Sequence, residues 1–328
     1  MAAPRIGAIR FSVVVPVYKN ADSLRAVIER LEALAPTLDG TLEVVFVVDG
    51  SPDDSAAFLR GALPASSLVT QLLCHSRNFG SFAAIRTGFL AARGEYVAAM
   101  AADLQEPAEL VRTFFDRLST GNWDVAVGTR TSRDDPGLSR LASSAYWRFY
   151  RRFVQRDMPV GGVDIFACTT QVAQNFAALE ESNSSLVGLL FWLGYRRIDV
   201  PYARVGREHG KSAWTPTKKI RYLLDSVFSF TSLPITVILA VGLLGAAAAL
   251  VAAFVVFISW ALGAITVPGY SALMLVLLFA TGSILFALGI VGTYVWRTFE
   301  NTKKRPSSIV MLHETFGPGG ALGATKPQ

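Results

Sequence analysis

The chain has 328 residues, 52% of them hydrophobic and 17% charged, with a formal net charge of +6 and two cysteines. That length suits two domains, and two cysteines without metal-ligand spacing exclude a thiolate metal site and fit a reducing compartment. The charge is uneven: residues 1–129 hold 11 Lys/Arg against 14 Asp/Glu, whereas residues 130–221 hold 15 against 8.

In chain order, Phe11-Ser12-Val13-Val14-Val15-Pro16 predicts a first strand. A helix follows over Asp22–Leu34, with Asp22 as N-cap and Leu24, Val27, Ile28 and Leu31 at helical spacing. Leu42–Val48 predicts a second strand ending in Asp49-Gly50-Ser51-Pro52-Asp53. Val69–Cys74 predicts a third, leading to Arg77-Asn78-Phe79-Gly80 and a helix to Arg93. Tyr96–Ala101 is an apolar run stopped by Asp103-Leu104-Gln105-Glu106-Pro107, after which come a helix and a strand at Asp124–Gly128. Strands alternating with helices imply an α/β fold, Rossmann-like, with a mostly parallel sheet covered on both faces. In such sheets ligands sit beyond the carboxyl ends of the strands, which places Asp103 and Gln105 where a divalent cation and a phosphorylated substrate would be held.

Two amphipathic segments follow. Within 139–157, Tyr146, Trp147, Tyr150, Phe153 and Val154 share one side of a helical wheel, and Arg140, Arg148, Arg151, Arg152 and Arg156 the other. This pattern suits a helix in the membrane interface, attracted to anionic lipid. The alternative is a surface helix packed on the sheet. A second segment, 215–233, opens at Thr215-Pro216 and carries Ile220, Leu223, Leu224 and Val227 at helical spacing.

From Pro234 the chain turns apolar. Ile235–Trp260 and 272–296 contain no charge, and each is long enough for a bilayer core of ~30 Å. Basic flanks at Lys218, Lys219 and Arg221, and at Arg297, Lys303, Lys304 and Arg305, put both flanks in the cytoplasm. The expected layout is a cytoplasmic core over 1–138, an interfacial helix over 139–157 and the rest of the cytoplasmic domain over 158–214. A second interfacial helix (215–233), a transmembrane hairpin (234–298) and a partly disordered cytoplasmic tail (299–328) complete it. The tail's Gly/Pro/Ala-rich end, Gly317–Gln328, carries the disorder expectation. No signal peptide is expected, both termini are placed in the cytoplasm, and the adjacent spans make a nucleic-acid reading of the basic surface weak.

No GxGxxG or Walker A sequence occurs, so neither a dinucleotide site nor an ordinary ATP site is supported. Asn, Asp, Gly and Pro populate turns for conformational reasons. What raises the turns above that is their order. Val15-Pro16-Val17-Tyr18-Lys19-Asn20, Val48-Asp49-Gly50-Ser51-Pro52-Asp53, Arg77-Asn78-Phe79-Gly80 and Ala102-Asp103-Leu104-Gln105-Glu106-Pro107 resemble the family 2 glycosyltransferases of the GT-A fold. Val127-Gly128-Thr129-Arg130, Gly161-Gly162-Val163-Asp164, Arg207-Glu208-His209-Gly210-Lys211-Ser212 and the apolar hairpin extend the resemblance to the membrane-bound polyisoprenyl-phosphate transferases.

The resemblance implies an inverting transfer of a monosaccharide from a nucleotide sugar, UDP-linked by preference, to a polyisoprenyl phosphate of the undecaprenyl type at the cytoplasmic membrane. Pro16, Tyr18, Asn20, Asp49, Gly50, Ser51 and Arg77 would line the donor pocket. Asp103 and Gln105 would hold Mg²⁺ or Mn²⁺ on the donor diphosphate. Arg130, Arg133, Arg207, Lys211 and Ser212 would face the acceptor phosphate, and Asp164 would lie beside the sugar as a positioning group or weak base. Membrane lipids and a homo-oligomer, a tetramer by resemblance, are the further partners. The chain departs from the family at Ala101, where many relatives carry an acid, and at Val48. The alternatives are a GDP-mannose donor, a processive synthase (for which Gln-x-x-Arg-Trp is missing) and a non-catalytic membrane scaffold. His75 and His313 have no partners at metal spacing, and His209 is secondary.

Overall fold

The computed structural model describes residues 8–130, 148, 150–152, 154–155, 157–159, 163–179, 181, 185–203, 216–262, 269–303, 305–318 and 320–325. Among them nine strands form one sheet: β1 Ile9–Val17, β2 Thr41–Val48, β3 Val69–His75, β4 Tyr96–Ala99, β5 Val125–Arg130, β6 Phe166–Thr169, β7 Arg197–Tyr202, β8 Val310–Gly317 and β9 Gly320–Thr325. Their order is β7-β5-β6-β4-β1-β2-β3-β8-β9. The helices are α1 Leu24–Leu34, α2 Ser55–Ala62, α3 Ser81–Ala91, α4 Ala108–Ser119, α5 Thr170–Ala177, α6 Leu186–Trp192, α7 Pro216–Phe230, α8 Leu233–Ala261 and α9 Tyr270–Thr302.

The centre of the sheet follows the predicted pattern. β3, β2, β1 and β4 run parallel, with Val13 opposite Val44 on one side and Ala98 on the other. Such strands are buried on both faces and read as continuous Val/Ile/Leu runs. Leu24, Val27, Ile28 and Leu31 of α1 are buried as their spacing predicts. They share a core with Val13, Val15, Phe46, Phe114 and Phe115. Each such side chain contributes ~1.5–3 kcal/mol by leaving water. On the opposite face, Phe89 of α3 packs edge-on against Phe166 and Phe176, with ring centroids 5.8 Å away in each case. The α1 N-cap is Ser23 rather than Asp22; its hydroxyl donates to Asn20 O and Ala102 O.

The flanks depart from a mostly parallel sheet. β6 is antiparallel to both β4 and β5, β8 is antiparallel to β3, and β9 to β8. The sheet is therefore mixed. β6 reverses direction between two parallel neighbours, so β5 and β7 run the same way as β1 to β4.

The tail expectation is also corrected. β8 and β9 pair as a β-hairpin that continues the sheet beyond β3, from Thr70 opposite Phe316 to His75 opposite Val310. Without it β3 would present a row of unpaired backbone groups. Arg60 forms an ion pair with Glu314, and His313 Nε2 lies 2.7 Å from Gln71 Oε1. Gly/Ala content had suggested disorder, but pairing to an existing edge supplies the order that side chains do not.

The described chain divides into two compact units, one holding the sheet with α1–α6 and the other α7–α9. In the second unit, α8 and α9 run 29 and 33 residues and contain the two predicted spans. Among the described residues one stretch, Phe279–Thr302, is by itself long and apolar enough to cross a membrane, with mean hydropathy 1.6. Leu223–Phe230 and Leu233–Gly242 pass together but bend by 77° at their break. Arg297 of α9 bonds Asp225 Oδ1 of α7 at 2.6 Å, and Phe228 meets Tyr294 with centroids 5.3 Å apart. Of the predicted 139–157 segment, Arg148 and 150–152 are helical. Tyr150 is fully buried and Val154 nearly so, packed against protein.

Candidate active site

Because β1 to β5 and β7 all point one way, their carboxyl ends share a single edge. That edge carries Tyr18–Asn20, Asp49–Asp53, Arg77–Gly80, Asp103–Gln105, Arg130 and Tyr202. Asp164 joins them because it precedes β6, which runs the opposite way. This is where an open α/β sheet binds its ligand.

The first two turns are fastened to each other. Lys19 N–H donates to Ser51 Oγ at 2.8 Å, and Ala21 N–H to Asp53 Oδ2 at 3.1 Å. Ser51 Oγ also donates to Asp53 Oδ1 at 2.5 Å, and Tyr18 N–H to Asn20 Oδ1 at 3.1 Å. Lys19 sits at φ 58, a left-handed conformation uncommon outside glycine. Pro16 lies in β1 opposite Val47, and Tyr18 is exposed at the rim. Burial opposes the charge of Asp53, but Ser51, Ser55 and the Ala21 N–H outweigh it and hold the carboxyl below its ordinary range.

Gly50 has a strict reason to be glycine. Its φ is 56, and a Cβ there would lie 2.2 Å from the Arg77 carbonyl carbon and 2.4 Å from Asn78 N. The second turn therefore rests directly on the backbone of the third. Arg77 stacks on Phe79, its guanidinium carbon 4.0 Å from the ring centroid.

Asp49, expected to line the nucleotide pocket, is 2% exposed. Its Oδ1 accepts from Phe79 N–H at 2.8 Å and lies 2.8 Å from His75 Nδ1; its Oδ2 accepts from Gly80 N–H at 2.7 Å. Burial raises its pKa, yet the bonds from His75, Phe79 and Gly80 prevail and hold it below the carboxylate range. Sequence reasoning missed His75, because its partners come from neighbouring elements and not from any metal-like spacing.

The fourth turn is held from the side by α1, through Ser23 Oγ to Ala102 O at 2.7 Å and Arg30 Nη1 to Leu104 O at 3.1 Å. Leu104 is buried at φ 61. A buried leucine in the left-handed region carries local strain, which surrounding bonds must sustain. Asp103 and Gln105 flank it, both partly exposed, and Gln105 N–H approaches Asp103 Oδ1 at 3.4 Å. Among the described residues no group of three His, Cys, Asp or Glu is placed to cage a metal ion. One carboxylate and one amide oxygen fit a hard cation that keeps most of its ligands as water and substrate phosphate.

At the far end, Arg130 forms an ion pair with Asp164 through Nε and Nη2. Tyr202 Oη donates to the same carboxylate oxygen at 3.3 Å. Burial opposes the Arg130 charge, but the Asp164 carboxylate raises the guanidinium pKa above its usual value. Burial, then Asp164 and Glu106, push the Tyr202 phenol upward, so it stays a donor. Gly128 makes room: a Cβ there would lie 2.7 Å from Ile165 Cγ2 and 3.1 Å from Tyr202 Cε1. Tyr202 was not anticipated, because β7 was not. Arg133, Arg207, Lys211, Ser212 and His209 lie outside the described residues.

Residues 12–182 match the Glycosyl transferase family 2 model. The chain is 31% identical over 304 residues to an uncharacterised glycosyltransferase of Synechocystis, covering 92% of this chain and 95% of that one. It is 30% identical to the undecaprenyl-phosphate 4-deoxy-4-formamido-L-arabinose transferase of Edwardsiella ictaluri, over 91% of this chain and 92% of that one. It is 25% identical to a prophage bactoprenol glucosyl transferase homolog of Escherichia coli, over 92% and 98% of the two chains.

Proposed function

The chain belongs to the family 2 glycosyltransferases, and from that premise we propose that it transfers one monosaccharide from a nucleotide sugar to a polyisoprenyl phosphate at a membrane surface. The observation that carries this reading is the shared sheet edge, on which both the Asp103–Gln105 turn and the Arg130–Asp164–Tyr202 cluster lie. The relatives named for bactoprenol and undecaprenyl phosphate support the lipid acceptor, as does the apolar stretch Phe279–Thr302.

A lipid phosphate oxygen attacks the anomeric carbon, the bond to the nucleoside diphosphate breaks, and the electron pair leaves with the diphosphate; the anomeric configuration inverts. A phosphate monoester has a second pKa of about 6, so the nucleophile is mostly dianionic and needs no general base. The harder task is bringing two anions together. Arg130 faces that task, with Asp164 and Tyr202 fixing its direction; Arg133, Arg207, Lys211 and Ser212 are proposed to add further phosphate contacts. Asp164 is thus a positioning residue rather than a base.

A divalent cation, Mg²⁺ or Mn²⁺, bound with the diphosphate would neutralise charge on the leaving group. Asp103 and Gln105 would hold it. Tyr18, Asn20, Ser51 and Arg77 would meet the nucleoside and diphosphate, with Pro16 and Gly50 shaping the turns behind them. Asp49 acts one layer back, holding the third turn. The donor is proposed to be UDP-linked, the protein to sit in the cytoplasmic membrane by its α8–α9 hairpin, and the catalytic unit to face the cytoplasm.

The test is incubation of the purified full chain with labelled UDP-sugars or GDP-mannose, Mg²⁺ and undecaprenyl phosphate. Label entering the organic phase only when the lipid phosphate is present supports the reading. Label that stays aqueous with every donor overturns it.

A further inference from the structure

The C-terminal segment reaches the donor side of the sheet through a continuous chain of polar contacts. Ser308, just ahead of β8, places its Oγ 2.8 Å from Thr87 Oγ1 on α3. Thr87 Oγ1 lies 2.9 Å from His75 Nε2, and His75 Nδ1 lies 2.8 Å from Asp49 Oδ1. Asp49 in turn holds the N–H groups of Phe79 and Gly80. His75 and Asp49 are each 2% exposed and Thr87 is 6% exposed, so water does not replace the contacts among these three, while the Ser308–Thr87 contact at their outer end is part-buried. The backbone runs alongside, with Ser76 N–H donating to Ile309 O at 3.0 Å.

The chemistry of the chain has a direction. The Asp49 carboxylate only accepts, so His75 Nδ1 donates to it, and both amides of the third turn are spent on the same group. If His75 is neutral, Nε2 accepts from Thr87 and Thr87 accepts from Ser308, which orders every hydroxyl. An Asp49 pinned in this way fixes where Phe79 and Gly80 stand, and with them the Arg77–Gly80 turn against which Gly50 is seated. The pairing of β8 with β3 is made by backbone groups. It does not by itself need a hydroxyl at position 308.

We propose that Ser308, acting through Thr87 and His75, is a positioning residue for the nucleotide-binding turn Arg77–Gly80, so that the strand following the membrane helix is part of the donor site. This rests on the transferase reading, and the experiment separates the two.

UDP and GDP, each with Mg²⁺, are titrated calorimetrically into the full chain in detergent micelles, for wild type, Ser308→Ala and Ser308→Thr. Wild type binds one of the nucleotides. Ser308→Ala weakens that binding by about three- to tenfold, the effect of losing one neutral hydrogen bond, and Ser308→Thr restores it. In the transfer assay the same loss falls on the donor KM, with kcat and the acceptor KM near wild type. Unchanged nucleotide affinity in a folded Ser308→Ala protein overturns the proposal while leaving the transferase reading intact. Wild type that binds neither nucleotide overturns both. Should Ser308→Ala fail to fold, Ser308→Cys, a weak donor of similar size, is read by the same criterion.

Discussion

Tyr202 and Asp164 meet across the sheet edge at 3.3 Å, phenol to carboxylate, on the oxygen that Arg130 also grips. The two residues are 38 positions apart, and the placement of antiparallel β6 beside β5 brings them together. A carboxylate with two donors on one oxygen is held in orientation, and so is the arginine bound to it.

Tyr202→Phe removes one of those donors and leaves the ring in place over Gly128. Transfer should fall by roughly three- to tenfold, in kcat more than in donor KM, with melting temperature little changed. Steady-state kinetics on the purified variant checks this. A variant with wild-type kcat would show that the phenol does not set the Arg130–Asp164 geometry.

Ala101 stands two residues before Asp103 and is partly exposed, so a longer side chain there reaches solvent. Ala101→Asp should supply a second carboxylate and lower the Mg²⁺ concentration for half-maximal activity by about tenfold. An unchanged metal requirement would place the cation away from this turn.

Gly50→Ala sets a methyl group 2.2 Å from the Arg77 backbone at a φ of 56. The third turn must move, at a cost of at least ~2 kcal/mol. Expected are a lower melting temperature and weakened nucleotide binding, both read on the folded fraction. Tolerance without loss of either would mean the two turns are not packed as described.

Acid stability follows from carboxyls whose folded pKa is depressed. In Asp49 burial works against ionisation, but His75, Phe79 and Gly80 overcome it; in Asp124 and Glu314 bonds from Arg196 and Arg60 dominate. Stability from such groups is complete above their unfolded values, about 3.9 for Asp and 4.3 for Glu, and is lost as pH falls through the lower folded values. Denaturation midpoints should therefore hold down to about pH 4.5 as far as these groups are concerned, then drop. Asp49→Asn should flatten part of that drop while lowering stability at pH 7, because its amide keeps a single accepting oxygen and one of the Phe79 and Gly80 N–H groups loses its partner. A drop between pH 7 and 5 that Asp49→Asn relieves would contradict the assignment.

The four strand-end turns were legible because apolar runs stop abruptly in Asp, Asn and Gly, and because the parallel order puts all such stops on one edge. Asp103 and Gln105 were placed that way, whereas Arg130 and Asp164 came from the family resemblance. β6 and β7 were not, since Phe166–Thr169 is four residues long and Arg197–Tyr202 alternates around a proline. Tyr202 was lost with β7. The Asp49–His75 pair joins the residue just after β2 to the last residue of β3, 26 positions on, a relation set by register rather than by motif. Gly and Ala hid the β8–β9 hairpin, whose order comes from the β3 edge and from Glu314 and His313.

The most direct test of the transferase reading is the product balance of a single reaction. The purified chain is incubated with its nucleotide sugar, Mg²⁺ and undecaprenyl phosphate, and both products are identified by mass spectrometry. The expected result is undecaprenyl phosphate heavier by one glycosyl residue, with one nucleoside diphosphate released per lipid. Asp103→Asn, folded but deprived of its carboxylate, should lower that yield by about a hundredfold or more. Release of a nucleoside monophosphate, or undiminished transfer by folded Asp103→Asn, would contradict it.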